Sequence, residues 1–119
     1  MIPADGAKWG SYDMLPACIQ RRSPQGIAAL AANVQTSEDP EANYLAAANL
    51  AFCGQNKQAL RLLRLAVQGN YCSWPAMESD PFFASVRAMP EFAAIRAAGM
   101  ACQQNFLAAR QHMQQQAHQ

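Results

Sequence analysis

Residues 39–67 read DPEANYLAAANLAFCGQNKQALRLLRLAV, and their spacing decides the fold class. Asp39 is a good N-cap and Pro40 a good first helical residue. Gly54 stands where a helix can stop in the left-handed conformation, and Asn56 can cap the next one. The stretch therefore predicts two amphipathic helices folded back on each other through Gly54-Gln55-Asn56. Small residues fall where such helices would touch: Ala46 and Ala47 in the first, Ala59 and Ala66 in the second. Alanine at the contact lets two helix axes approach to about 8 Å. On the second helix Ala59, Leu62, Leu63, Ala66 and Val67 share a face, which Leu60 and Leu65 widen. A stripe that broad implies neighbours on two sides. Lys57, Arg61 and Arg64 line the opposite side, where a solvated outer surface is expected.

Composition agrees with close-packed helices. The 119 residues are 51% hydrophobic but only 8% aromatic, and 25 of them are alanine, the best helix former and a poor strand former. One domain is expected at this length. A net charge of +1, from nine basic and eight acidic residues, gives no clustered basic excess for nucleic acid. Charged residues are only 14%, so much of the surface is Ala, Gln, Asn and Ser, which protects poorly against association.

The pair resembles a tetratricopeptide repeat. Ala46-Ala47, Leu50, Ala59-x3-Leu63 and Ala66 fall at that family's intervals. Tyr44 lies one place from the usual Trp, and Tyr71 stands where Pro is common. The resemblance implies an all-α, short right-handed solenoid of antiparallel helix pairs that serves as a protein-binding scaffold.

Working towards the N-terminus, a helix is expected from about Asp13 to Arg22, with Pro16 tolerable in its first turn. Ser23-Pro24 begins another, whose Ile27, Leu30, Ala31 and Val34 keep helical spacing. Residues 11–38 thus occupy the place of a degenerate, capping repeat. Residues 1–10 read as a leader, with Trp9 placed to cover the first helix pair. That start lacks the basic end and apolar run of a secretory signal, and no segment approaches the roughly 20 apolar residues of a membrane span. A cytoplasmic location is the expectation.

Working towards the C-terminus, residues 71–119 read as a closing repeat and a final helix. After a turn with Ser73 as a possible cap come Asp80-Pro81-Phe82-Phe83, Val86-Arg87, Met89-Pro90-Glu91-Phe92 and Ile95-Arg96. This doubled pattern resembles the tail that closes tetratricopeptide arrays in bacterial signalling proteins, including some serine/threonine kinases and transcriptional regulators. The resemblance implies that each Pro starts a short helix and each Phe plugs the apolar stack. The last helix is expected from Pro90 to about His118, with Phe92, Ile95, Gly99, Cys102, Phe106, Ala109 and Met113 in a heptad-like seam. Unbroken, it would run roughly 40 Å, about twice its neighbours. Either it breaks near Gly99 and folds back, or its end protrudes and needs a partner.

No motif for catalysis stands out. There is no Gly-rich phosphate loop, no G-x-S-x-G and no H-E-x-x-H. The two histidines, His112 and His118, lie near the end without a nearby Cys or acid, so solvated side chains are expected rather than a metal site. Glu38, Asp39 and Glu41 cluster at a helix start, where they serve the cap and the helix dipole. Cys18, Cys53, Cys72 and Cys102 form no C-x-x-C and read as small buried free thiols, a disulfide across adjacent helices being the alternative.

The expectation is a non-enzymatic module, without cofactor, metal, nucleic-acid or membrane partner, that binds a protein or peptide segment or a second copy of itself. In tetratricopeptide arrays the first helix of each pair lines the concave face, which implies Tyr44, Ala48, Ala51 and Phe52 as groove residues. Their apolar character suits an amphipathic helix. The chain's own N-terminal helices could equally cover them. Met100, Phe106, Leu107 and Met113 are the candidates for self-association. A second reading is a small ligand-sensing helical domain, its pocket walled by Trp74, Met77, Phe82, Phe83, Met89 and Met100.

Overall fold

The computed structural model describes residues 14–21, 23–72 and 74–117. The expected leader with Trp9, the start of the first helix at Asp13 and its end at Arg22, the Ser73 cap and His118 lie outside them. Every regular element among the described residues is helical: α1 (Met14–Ile19), α2 (Pro24–Ala32), α3 (Pro40–Phe52), α4 (Asn56–Gln68), α5 (Trp74–Ser79), a 3-10 turn (Pro81–Phe83), α6 (Ala84–Arg87) and α7 (Pro90–Ala117).

The start and stop signals work as their chemistry dictates. Asp39 Oδ1 accepts the Glu41 N–H at 2.9 Å, Ser23 Oγ the Gly26 N–H at 3.1 Å, and Asp80 Oδ1 the Phe82 N–H at 2.9 Å. In each case Pro is the next residue, where its missing N–H costs nothing. Helix α3 ends with Gly54 at φ 80°, the Gln55 N–H bonding Leu50 O (2.8 Å) and the Gly54 N–H Ala51 O (3.0 Å). These are the two bonds of a Schellman cap. Helix α4 ends the same way, but Asn70 (φ 71°) takes the left-handed position and Gly69 does not. Gly69 instead lets Pro40 approach, since a Cβ there would lie 2.8 Å from the Pro40 Cβ. Asn56 does not cap α4; it is the first helical residue, preceded by Gln55 without a side-chain cap bond. Its Oδ1 lies 2.9 Å from the Ser85 hydroxyl, which is also 3.1 Å from Ala51 O and can donate to either.

Helices α3 and α4 form the centre, packing on each other more than on anything else. Ala47, Ala59 and Ala66 are buried at that contact, with Leu50, Leu62 and Leu63 inaccessible to solvent. Lys57, Arg61 and Arg64 are exposed, as their side of α4 predicts. The N-terminal helices lie on one side, α1 against α2 and α3. Gln58 reaches across to the end of α2, its Nε2 donating to Ala31 O at 2.7 Å. Buried Asn43 ties the following link to α3 by bonding both backbone groups of Ser37, at 2.8 and 2.9 Å. On the other side the 3-10 turn and α6 pack on α3, and α7 packs on α4, α5 and α6. Phe83 and Phe92 are fully buried there.

The two arginines of the doubled pattern pin the short helix α5. Arg87 Nη1 donates to Met77 O and Asp80 O, both at 2.8 Å. Arg96 pairs with Glu78 while its guanidinium lies over the Phe92 ring, 5.0 Å from the centroid.

The free-thiol expectation is overturned. Cys18 of α1 is disulfide-bonded to Cys53 at the end of α3, and Cys72, just after α4, to Cys102 on α7. Each pair has Cα atoms 5.5 Å apart, within disulfide reach. Separations of 35 and 30 residues give no local motif, so only the packing of α1 on α3 and of α7 beside α4 reveals the partners.

Helix α7 runs 28 residues without a break, about 42 Å. Gly99 is buried and does not interrupt it; a Cβ there would come 2.8 Å from Met77 Cε and 3.0 Å from Trp74 Cβ. The glycine is a close-approach point for α5. Because α7 outruns the rest, the molecule is elongated, 60 × 34 × 18 Å. Its radius of gyration is 16.6 Å, against about 13.5 Å for a compact chain of this length.

Candidate interaction surface

The four groove residues on α3 do not line an open channel. Tyr44, Ala48 and Ala51 are buried. The cover comes from the C-terminal half, because the 3-10 turn and α6 lie along α3. Of the N-terminal helices named as an alternative cover, α1 also packs on α3, with Cys18 bonded to Cys53 beside Phe52. Tyr44 sits in an aromatic cluster, its ring 5.0 Å from Tyr71 and 5.3 Å from Phe83. Tyr71 thereby fills space that a Pro at its position would leave empty. The Tyr44 hydroxyl has no hydrogen-bond partner among the described residues. Burial, with Asp80 and then Tyr71 adding to it, pushes its pKa up to about 12. Of the four, Phe52 alone keeps an open face, at 47% exposure, with its ring stacked on Phe82 at 4.7 Å. Leu45, one helical heptad before Phe52, is exposed too and was not singled out by its sequence position.

Five of the six residues proposed as pocket walls belong to the hydrophobic core or its edge. Met77 and Phe83 are fully buried, and Trp74, Phe82 and Met89 pack against the core from its edge. Met100 stands apart from them, 37% exposed on α7.

The self-association residues are all among the exposed large apolar side chains, with Ile19, Leu45 and Phe52 the others among the described residues. Along α7 the seam residues Phe92, Ile95 and Gly99 are buried and Cys102 is half-buried, held by its disulfide. Past Gln103 every described residue to Ala117 is exposed. Phe106 is 62% and Met113 68% exposed, and Leu107 is 45% exposed on the other side of the helix. Residues 104–117 thus form an overhang of about 21 Å with two lines of apolar side chains.

Among the described residues no group of three His, Cys, Asp or Glu side chains could hold a metal ion. His112 faces Gln116, 3.1 Å away on the next turn. No described helix is long and apolar enough to cross a membrane. Comparison with known protein families, with curated proteins and with solved structures finds no match for the chain.

Proposed function

We propose that the chain is a protein-interaction module: a tetratricopeptide-like helix pair, α3–α4, closed on both flanks, that presents the outer half of α7 for docking. The exposure of Phe106, Leu107 and Met113 on the outer half of α7, where every described residue past Gln103 is exposed, carries this reading. A large apolar side chain left in water forgoes roughly 1.5–3 kcal/mol of burial. A binding partner recovers that energy. Since Tyr44, Ala48 and Ala51 are covered by the chain itself, docking moves from the concave face to the overhang. The rest of the molecule then serves as the rigid base that holds α7 in place.

The two disulfides support an oxidising compartment rather than the cytoplasm, where thiols are kept reduced. Panning a library of helix-forming peptides on the immobilised, oxidised chain tests the docking role. Selected binders are expected to lose their affinity for the variants Phe106→Glu/Met113→Glu or Leu107→Glu. Binders indifferent to both variants would place docking elsewhere, with Leu45 and Phe52 the next surface to substitute.

A further inference from the structure

We infer that residues 104–117 of α7 pair antiparallel with the same residues of a second copy, along the face of Phe106, Ala109 and Met113. This names the partner of the docking element just proposed and rests on that reading. The first observation is continuity. Phe92, Ile95, Gly99 and Cys102 press α7 onto its own body, and the same alternation of three and four continues through Phe106, Ala109 and Met113 after the body has ended. A face that packs against helices over its first half presents the same chemistry over its second.

Charge argues for a copy over a foreign partner. From residue 97 to residue 119 the only Asp, Glu, Lys or Arg is Arg110. The overhang therefore lacks the charge pattern by which helices choose a partner of different sequence. A second copy needs no such pattern. Reversed upon itself, the order large–small–large sets Phe106 opposite Met113 and Ala109 opposite Ala109, so the small residue lets the axes close at the middle. Arg110 lies beside the seam near its own counterpart, so the pair contains no ion bridge.

The body fixes the direction. It covers this face of α7 as far as Cys102, so a parallel partner would bring two bodies to the same side at the same height. Antiparallel, each overhang ends where the other enters its body. The twofold arrangement is the one commonest among soluble dimers. An overlap of about 21 Å is small, at the low end of interface sizes, so a weak dimer is expected, with Kd on the order of tens of micromolar.

Sedimentation velocity of the full, oxidised chain from low to high micromolar concentration is the test, with circular dichroism confirming that each variant keeps its helix. The wild type is expected to pass from monomer to dimer. Phe106→Glu/Met113→Glu should weaken association by roughly tenfold or more. Gln111→Glu, exposed on the side of the helix away from the seam, should leave it unchanged. In oxidising buffer Ala109→Cys should give a covalent dimer, whereas Met113→Cys, set against Phe106 of the other copy, should not. Added salt should not weaken the pair, since it holds no ion bridge. A wild type monomeric throughout overturns the inference while leaving the peptide selection to decide the docking role. Disruption by Gln111→Glu as severe as by the seam variant would also overturn it, as would self-linking of Met113→Cys as efficient as that of Ala109→Cys.

Discussion

Tyr44 is the residue whose sequence position says least about what it does. Its ring fills the space between α3 and the C-terminal half, while its hydroxyl is buried without a partner among the described residues. An unsatisfied buried hydroxyl is a net cost, so Tyr44→Phe should stabilise the fold by up to about 1 kcal/mol. A loss in urea melts would mean the hydroxyl is satisfied. The raised pKa fixes the sign of the alkaline response. The folded chain keeps this proton where the unfolded chain, at 10.0, releases it. The contribution is complete below pH 10 and is lost as pH rises towards about 12. The loss is on the order of 1–3 kcal/mol. Urea titrations at about pH 9 and about pH 11 should show the decline, and Tyr44→Phe should reduce it. Gly99 is a second such residue. Gly99→Ala gains about 1 kcal/mol of helix propensity against a contact that Met77 can partly relieve. Gly99→Leu has no such escape beside Trp74 and should lose about 1–3 kcal/mol in thermal or urea melts. Equal stability of the Leu variant and wild type would mean that α5 does not press on α7.

At the scale of elements the α3–α4 pair carries the fold. Ala66 is inaccessible to solvent in the middle of that contact. Ala66→Glu would bury an unpaired charge and overpack the pair, at a cost on the order of 3 kcal/mol or more. An unchanged melting temperature would show that the two helices do not meet at this register. Helix α5 illustrates a different kind of support. With six residues it cannot stand alone, and Arg87 and Arg96 hold it from α6 and α7. The doubled apolar–arginine pattern was visible in the sequence, but its two arginines were without an assigned role until α5 was seen between them. Helix α7 combines both situations. Its first half is docked, and the docked half supplies the helix nucleus from which the overhang propagates.

At the scale of the molecule the disulfides staple both flanks to the central pair, α1 through Cys18–Cys53 and α7 through Cys72–Cys102. The second bond lies where α7 leaves the body, so it anchors the base of the overhang. In denaturant without reductant none of the four cysteines should react with a thiol reagent; labelling of all four would restore the free-thiol reading. Replacing Cys72 and Cys102 by Ser should cost on the order of 3–4 kcal/mol through the freed unfolded chain, read from urea midpoints under oxidising conditions. Reduction of the wild type should lower stability in the same direction.

The caps at Asp39, Ser23 and Asp80, the Gly54 turn and the amphipathic faces were legible from residue order alone, because each is a local matter. Asn56, expected to cap α4, does not. Asp39-Pro40, Ser23-Pro24 and Asp80-Pro81 satisfy N–H groups within a few residues, and Gly54 needs only its own φ. The small residues of α3 and α4 likewise told which faces would meet, since the α-helical period sets them on one side. What covers a face is not local. The 3-10 turn and α6 came to rest on Tyr44, Ala48 and Ala51, and thereby closed the groove that an isolated pair would have left open. The thiol partners and the role of Gly99 were decided in the same way, by elements distant in the chain that arrive at one place. The overhang belongs to both kinds. Its seam was written in the spacing of Phe106, Ala109 and Met113, but whether that seam would be buried depended on where the body ended, and the body ends at Cys102.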